Sequence, residues 1–71
     1  MNEPIKYTLK ELRARHNLTQ DDMAKALNLT RQSYINIEKN PERATVDRMM
    51  QIARILKVSI GEIFFEQIPH K

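Results

Sequence analysis

The chain has 71 residues, 12 Lys and Arg against 9 Asp and Glu, a net charge of +3, no cysteine and one glycine. That is a single small domain spanning 1–71, which removes only about 60% of its unfolded surface on folding and has no room for an enclosed active site. Disulfides and thiolate metal sites are excluded, one glycine is too few for a phosphate-cradling loop, and the mild positive charge suits an anionic partner without specifying one.

Helix starts are the clearest local signal. Thr8 precedes Glu11 by three residues, Thr19 precedes Asp22, and Ser59 precedes Glu62, each ahead of an apolar-periodic segment. Thr30 and Thr45 occupy equivalent places before two further segments. A hydroxyl there accepts a bond from an otherwise unpaired N–H of the first turn. These starts predict helices near 8–16, 19–27, 30–38, 45–56 and 59–66, with frayed ends at 1–6 and 67–71. Sustained period-2 alternation is missing, so strands find no support and the fold class is all-α.

The ends agree with the starts. Asn17 and Asn28 fall just past periodic segments, where a residue in the left-handed region commonly closes a helix. The strings Asn17-Leu18-Thr19-Gln20 and Asn28-Leu29-Thr30-Arg31 each combine a closing Asn, a Leu that can tuck inward and a Thr cap. They also match the N-x-T glycosylation pattern, but no signal-peptide core accompanies them. No apolar run is long enough to span a membrane. The segment Lys39-Asn40-Pro41-Glu42-Arg43-Ala44 carries Asn-Pro and no apolar residue large enough for a core, so it reads as the main loop.

Apolar spacing assigns the core to Leu9 and Leu12, then Met23, Ala24 and Leu27, then Val46, Met49, Ile52, Ala53 and Leu56. Ile60, Ile63 and Phe64 continue it, and Leu18, Leu29 and Val58 join from the turns. Ala24 is small enough to let a neighbouring helix cross closely.

The third predicted helix has two different faces. At about 100° per residue, Thr30, Ser33, Tyr34 and Ile37 fall in one arc, expected to pack inward. Arg31, Gln32, Ile35, Asn36 and Lys39 fall in another arc that lacks any carboxylate. Arg bonds guanine O6 and N7 bidentately, Gln and Asn do the same for adenine N6 and N7, and an exposed aliphatic group such as Ile35 touches a thymine methyl. A polar helix face is usually just a solvated one. Here, however, a short helix, a three-residue turn Asn28-Leu29-Thr30 and this two-faced helix together read as a helix-turn-helix, which places its second helix in the major groove.

The ordered set Leu9-x-x-Leu12-Arg13, Leu18-Thr19-Gln20-x-x-Met23-Ala24-x-x-Leu27, Thr30-Arg31-Gln32-Ser33-Tyr34-x-x-Ile37-Glu38 and Ile52-Ala53-x-x-Leu56-x-Val58-Ser59-x-x-x-Ile63-Phe64 resembles the Xre, or Cro/CI-type, helix-turn-helix family over residues 8–65. The resemblance implies a five-helix repressor-like domain in a cytoplasmic protein of bacterial or phage origin. It implies that Gln20 contacts a phosphate and buttresses the recognition helix, that Arg31, Gln32 and Asn36 read bases, and that Glu38 is structural. Where the family usually carries glycine after the second, third and fourth helices, this chain has Asn28, Asn40 and Lys57. Asn tolerates the left-handed backbone.

Phosphate contacts are expected from Gln20, Ser33, Lys39, Asn40, Arg43 and Thr45, which flank the groove helix. Lys6, Lys10, Arg13 and Arg15 form a second basic cluster, within which Arg13 is expected to pair with a carboxylate and brace the first helix. A domain this small reads only about four or five base pairs, so useful selectivity calls for a homodimer on an inverted repeat. Ile55, Phe65 and Ile68 remain without an inward role and are the expected dimer contacts.

The leading function is therefore a sequence-specific double-stranded DNA-binding transcriptional regulator, a repressor that occludes a promoter. The alternative is an antitoxin or small regulator acting mainly through a protein partner, which the string Phe64-Phe65 with Ile68-Pro69 leaves open. Catalysis is not expected. Asp21-Asp22 is the one adjacent carboxylate pair and sits in a first helical turn, where acids suit the helix dipole. His16 and His70 lack ligand spacing, and no metal or cofactor is expected.

Overall fold

Four of the five expected hydroxyl caps form; at the fifth, Ser59 Oγ donates to Glu62 Oε1 at 3.1 Å and the Glu62 N–H goes to the Ser59 carbonyl. The computed structural model of the chain describes residues 6–63. Helix α1 runs Leu9–Arg15, α2 Gln20–Leu27, α3 Arg31–Lys39 and α4 Val46–Leu56, with 3₁₀ turns at Pro41–Arg43 and Ile60–Glu62. The hydroxyls of Thr8, Thr19, Thr30 and Thr45 accept the N–H groups of Glu11, Asp22, Ser33 and Arg48 at 2.9–3.1 Å. Glu11, Asp22 and Glu62 return the bond to the cap N–H at 2.8–2.9 Å.

Three helices close with one device. Asn17, Asn28 and Lys57 take left-handed φ values of 55°, 62° and 61°. The following Leu18, Leu29 and Val58 donate N–H to Arg13, Ala24 and Ala53 carbonyls at 3.0, 2.8 and 3.0 Å, a Schellman-type closure with an apolar residue after the bend. Asn40 departs from this pattern. Its φ of −138° lies outside the left-handed region, because the chain turns directly into the Pro41–Arg43 3₁₀ turn rather than closing on α3.

The core is a single cluster of Leu9, Leu12, Met23, Ala24, Leu27, Tyr34, Met49, Ile52, Ala53, Leu56 and Ile63, with Leu18, Leu29, Ile37 and Val58 packed partly against it. Two expected members lie outside it: Val46 is 69% exposed and Ile60 37%. Val46 is the first residue of α4, where the helix has only begun to run along the core. Pro41 is buried, so the expected main loop contributes an apolar residue after all.

The fifth helix is one 3₁₀ turn within the described residues. Ser59 and Glu62 form the expected start, but Ile63 is already extended. Tyr7 donates its N–H to the Glu62 carbonyl at 2.8 Å and forms a parallel bridge with Ile63, which is fully buried. Gly61 lowers helix propensity by about 1 kcal/mol, and so short a segment does not sustain a helix by itself. Bridging to Tyr7 buries Ile63 instead. The rest of the predicted helix, 64–66, lies outside the described residues.

Candidate nucleic-acid interface

Helix α3 is anchored by one carboxylate. Glu38, in its last turn, accepts from Arg13 Nε at 2.6 Å and Arg13 Nη2 at 3.2 Å, from Tyr34 Oη at 2.8 Å and from Gln20 Nε2 at 3.1 Å. Arg13 Nη1 also donates to the Leu18 carbonyl at 3.0 Å. The Arg13 and Glu38 side chains are only 14% and 11% exposed. Side chains from α1, α2 and α3 thus converge on one acceptor and fix the two helices of the motif against each other. Burial raises the Glu38 carboxyl, but the hydrogen bonds from Arg13, Tyr34 and Gln20 outweigh it and hold the group below the usual carboxylate range. The bond to Glu38 raises the Arg13 guanidinium, and burial followed by the Glu38 contact raises the Tyr34 phenol. All three groups keep their neutral-pH charge states, with Glu38 ionised, Arg13 cationic and Tyr34 neutral. Arg13 and Glu38 therefore have the bracing role expected of them.

With Glu38 turned inward, the outer face of α3 carries no carboxylate. Arg31, Gln32, Asn36 and Lys39 are exposed, while Ile35 is half-buried. Thr30 and Ser33, expected to point inward, are exposed as well. Thr30 caps α3 and its Oγ1 donates to Ser33 Oγ at 2.9 Å, which places both at the rim of the helix start. On the inner side, Tyr34 is fully buried and Ile37 half-buried.

Two open grooves gather most of the candidate residues. Lys10, Gln20, Ile35 and Lys39 line one beside Glu38, between the motif and α1. Asn36, Asn40 and Arg43 line the other, where α3 meets the 3₁₀ turn. Thr45 is exposed but engaged in capping α4. Gln20 faces the groove with its amide nitrogen held by Glu38; among the described residues its carbonyl oxygen and second N–H have no partner. The first-helix cluster separates: Arg13 goes to Glu38, the Arg15 guanidinium sits 4.3 Å from the Tyr7 ring centroid, and Lys10 joins the groove.

Of the expected dimer residues, Ile55 is half-buried against the core and lines a groove with Leu27 and Gln51. Phe65 and Ile68 lie outside the described residues. The exposed apolar side chains on this part of the chain are instead Val46, Met50 and Ile60.

Some contacts have no local sequence signal. His16 Nε2 donates to the Leu56 carbonyl at 2.8 Å, tying the end of α1 to that of α4. Arg48 Nη1 reaches the Leu27 carbonyl at 3.5 Å and Gln51 Oε1 at 3.0 Å, bracing α4 on α2. Both serve helix C-termini, whose carbonyls need donors, but which donor arrives is a matter of tertiary placement.

Comparison with known proteins agrees with this geometry. A helix-turn-helix family model matches residues 9–63. An uncharacterized HTH-type transcriptional regulator of Methanocaldococcus jannaschii is 43% identical over 60 residues, covering 84% of this chain and 91% of that protein. Another from Archaeoglobus fulgidus is 32% identical over 56 residues, 79% of each chain. Both relatives are archaeal, so they lend no support to a bacterial or phage source. No solved structure matches. Among the described residues no helix is long and apolar enough to cross a membrane. The chain belongs to the Xre, or Cro/CI-type, helix-turn-helix family.

Proposed function

We propose that this chain is a sequence-specific double-stranded DNA-binding transcriptional repressor of the cytoplasm. Helix α3 enters the major groove, where Arg31, Gln32, Ile35 and Asn36 face base edges. Gln20, Ser33, Lys39, Asn40, Arg43 and Thr45 position the domain on phosphates, and Lys10 joins them from the groove it shares with Gln20 and Lys39. The observation that carries this reading is the carboxylate-free, exposed face of a helix whose only acid, Glu38, is turned inward and neutralised by Arg13. The names of both relatives as transcriptional regulators support it.

A homodimer on an inverted repeat supplies the selectivity one domain lacks, with contact through Ile55 and the C-terminal Phe65 and Ile68. The exposed Val46, Met50 and Ile60 add apolar surface on α4 and the turn that follows. Bound in this way, the dimer represses by occluding a promoter.

The test is selection of bound sites from randomised duplex DNA at about physiological salt. The expected product is an inverted repeat with half-site centres about 10 base pairs apart. Salt-sensitive binding without an enriched motif would overturn base reading and favour a protein partner.

A further inference from the structure

Two of the exposed side chains on α3 are not independent. Gln32 Nε2 donates to Asn36 Oδ1 at 3.1 Å, one helical turn along the same face. A free glutamine amide rotates and offers its oxygen and nitrogen in either order. This one is tied by a single N–H. A primary amide has two N–H bonds: one lies on the same edge as its oxygen, and the other points away from it. Asn36 can hold the outward N–H while the edge that carries Oε1 and the inner N–H stays open. That edge offers one acceptor and one donor, side by side and in fixed order.

Adenine presents the matching pair in the major groove, an N6 donor beside an N7 acceptor, whereas guanine presents two acceptors, O6 and N7. Guanine at the same place would set its O6 against Gln32 Oε1. We infer that Gln32 and Asn36 act as one adenine-reading unit, in which Gln32 touches the base and Asn36 is a positioning residue that fixes the order of donor and acceptor. This rests on the DNA-binding reading above and assigns it a base at one position. Because Asn36 Oδ1 is spent on Gln32, the two residues are expected to specify one base pair, not two.

The test measures the ratio of affinities for the selected duplex and for the same duplex with A·T changed to G·C, scanned along the half-site. It uses the full chain and four variants: Gln32→Ala, Asn36→Ala, the double variant and Asn36→Asp. Using a ratio removes any uniform loss of affinity. The wild type is expected to prefer adenine at one position by roughly ten- to a hundredfold. Gln32→Ala abolishes that preference, Asn36→Ala reduces it to a few-fold, and the double variant falls no further than Gln32→Ala. Asn36→Asp keeps an oxygen to accept the Gln32 N–H, so it binds all DNA more weakly yet restores the adenine ratio. If Asn36→Ala alters a different base position from Gln32→Ala, or Asn36→Asp behaves as Asn36→Ala, the pair is overturned while DNA reading stands. A wild type that enriches no sequence overturns the DNA reading itself, and the pair with it.

Discussion

Glu38→Ala removes the carboxylate on which α1, α2 and α3 converge. Arg13 loses two of its bonds and Tyr34 and Gln20 lose one each, while Arg13 keeps only the Leu18 carbonyl. With Arg13 only 14% exposed, water replaces little of this. Removing one partner of a buried ion pair costs about 3–5 kcal/mol, because a buried charge is left uncompensated. The surviving Leu18 bond places this loss at the lower end, about 3 kcal/mol. A domain of this size has a total stability on the order of 5–10 kcal/mol. Each kcal/mol moves Tm by about 4–8 °C in so small a domain, so calorimetry is expected to show a fall of about 12–24 °C. Replacing the group with apolar residues, Arg13→Met with Glu38→Leu and Tyr34→Phe, removes the charges instead of stranding one, and is expected to be near neutral. A loss below about 1 kcal/mol for Glu38→Ala, the size of an exposed pair, would refute the reasoning.

Acid should act on the same group. The folded Glu38 titrates below the ordinary glutamate range, so its stabilisation is fully present above about pH 4.3 and is lost as pH falls through the folded value. Urea unfolding across pH should show that loss in the wild type and a flatter acid limb in Glu38→Ala. Lys57 holds a left-handed φ of 61°, which costs a side chain about 1–2 kcal/mol, so Lys57→Gly should raise the urea midpoint by about 1 kcal/mol of stability; a lower midpoint would contradict the strain. Arg31→Ala should cost about 1–3 kcal/mol of DNA binding and relax one base position, whereas Arg43→Ala should weaken all sequences alike and reduce the salt slope by about 1. Equal behaviour of the two in a salt titration would remove the distinction between reading and positioning.

What was legible in the sequence was local. Thr8, Thr19, Thr30 and Thr45 act on N–H groups three residues away, Glu62 acts on the Ser59 N–H, and Asn17 and Asn28 act on their own backbone, so short strings suffice to place them. Periodicity found the core because one face of each helix repeats at the helical period. It overreached at Val46, where the apolar repeat continues to the end of the helix but the core contact does not. Ile63 was missed as an extended residue because its partner, Tyr7, sits at the other end of the chain. The candidate interface was legible through the composition of one helix face and through the family spacing. The Gln32–Asn36 bond was not, since spacing allows that pair without choosing it over two separate base contacts.

The most direct test of major-groove reading by α3 is a scan of the selected duplex in which each purine N7 is replaced, one at a time, by a carbon. The substitution deletes a major-groove acceptor and leaves the minor groove and phosphates untouched. Affinity should fall by about 1 kcal/mol, roughly fivefold, at a few purines in each half-site, with the rest unchanged. Affinity that is insensitive at every position would mean that α3 does not read the major groove.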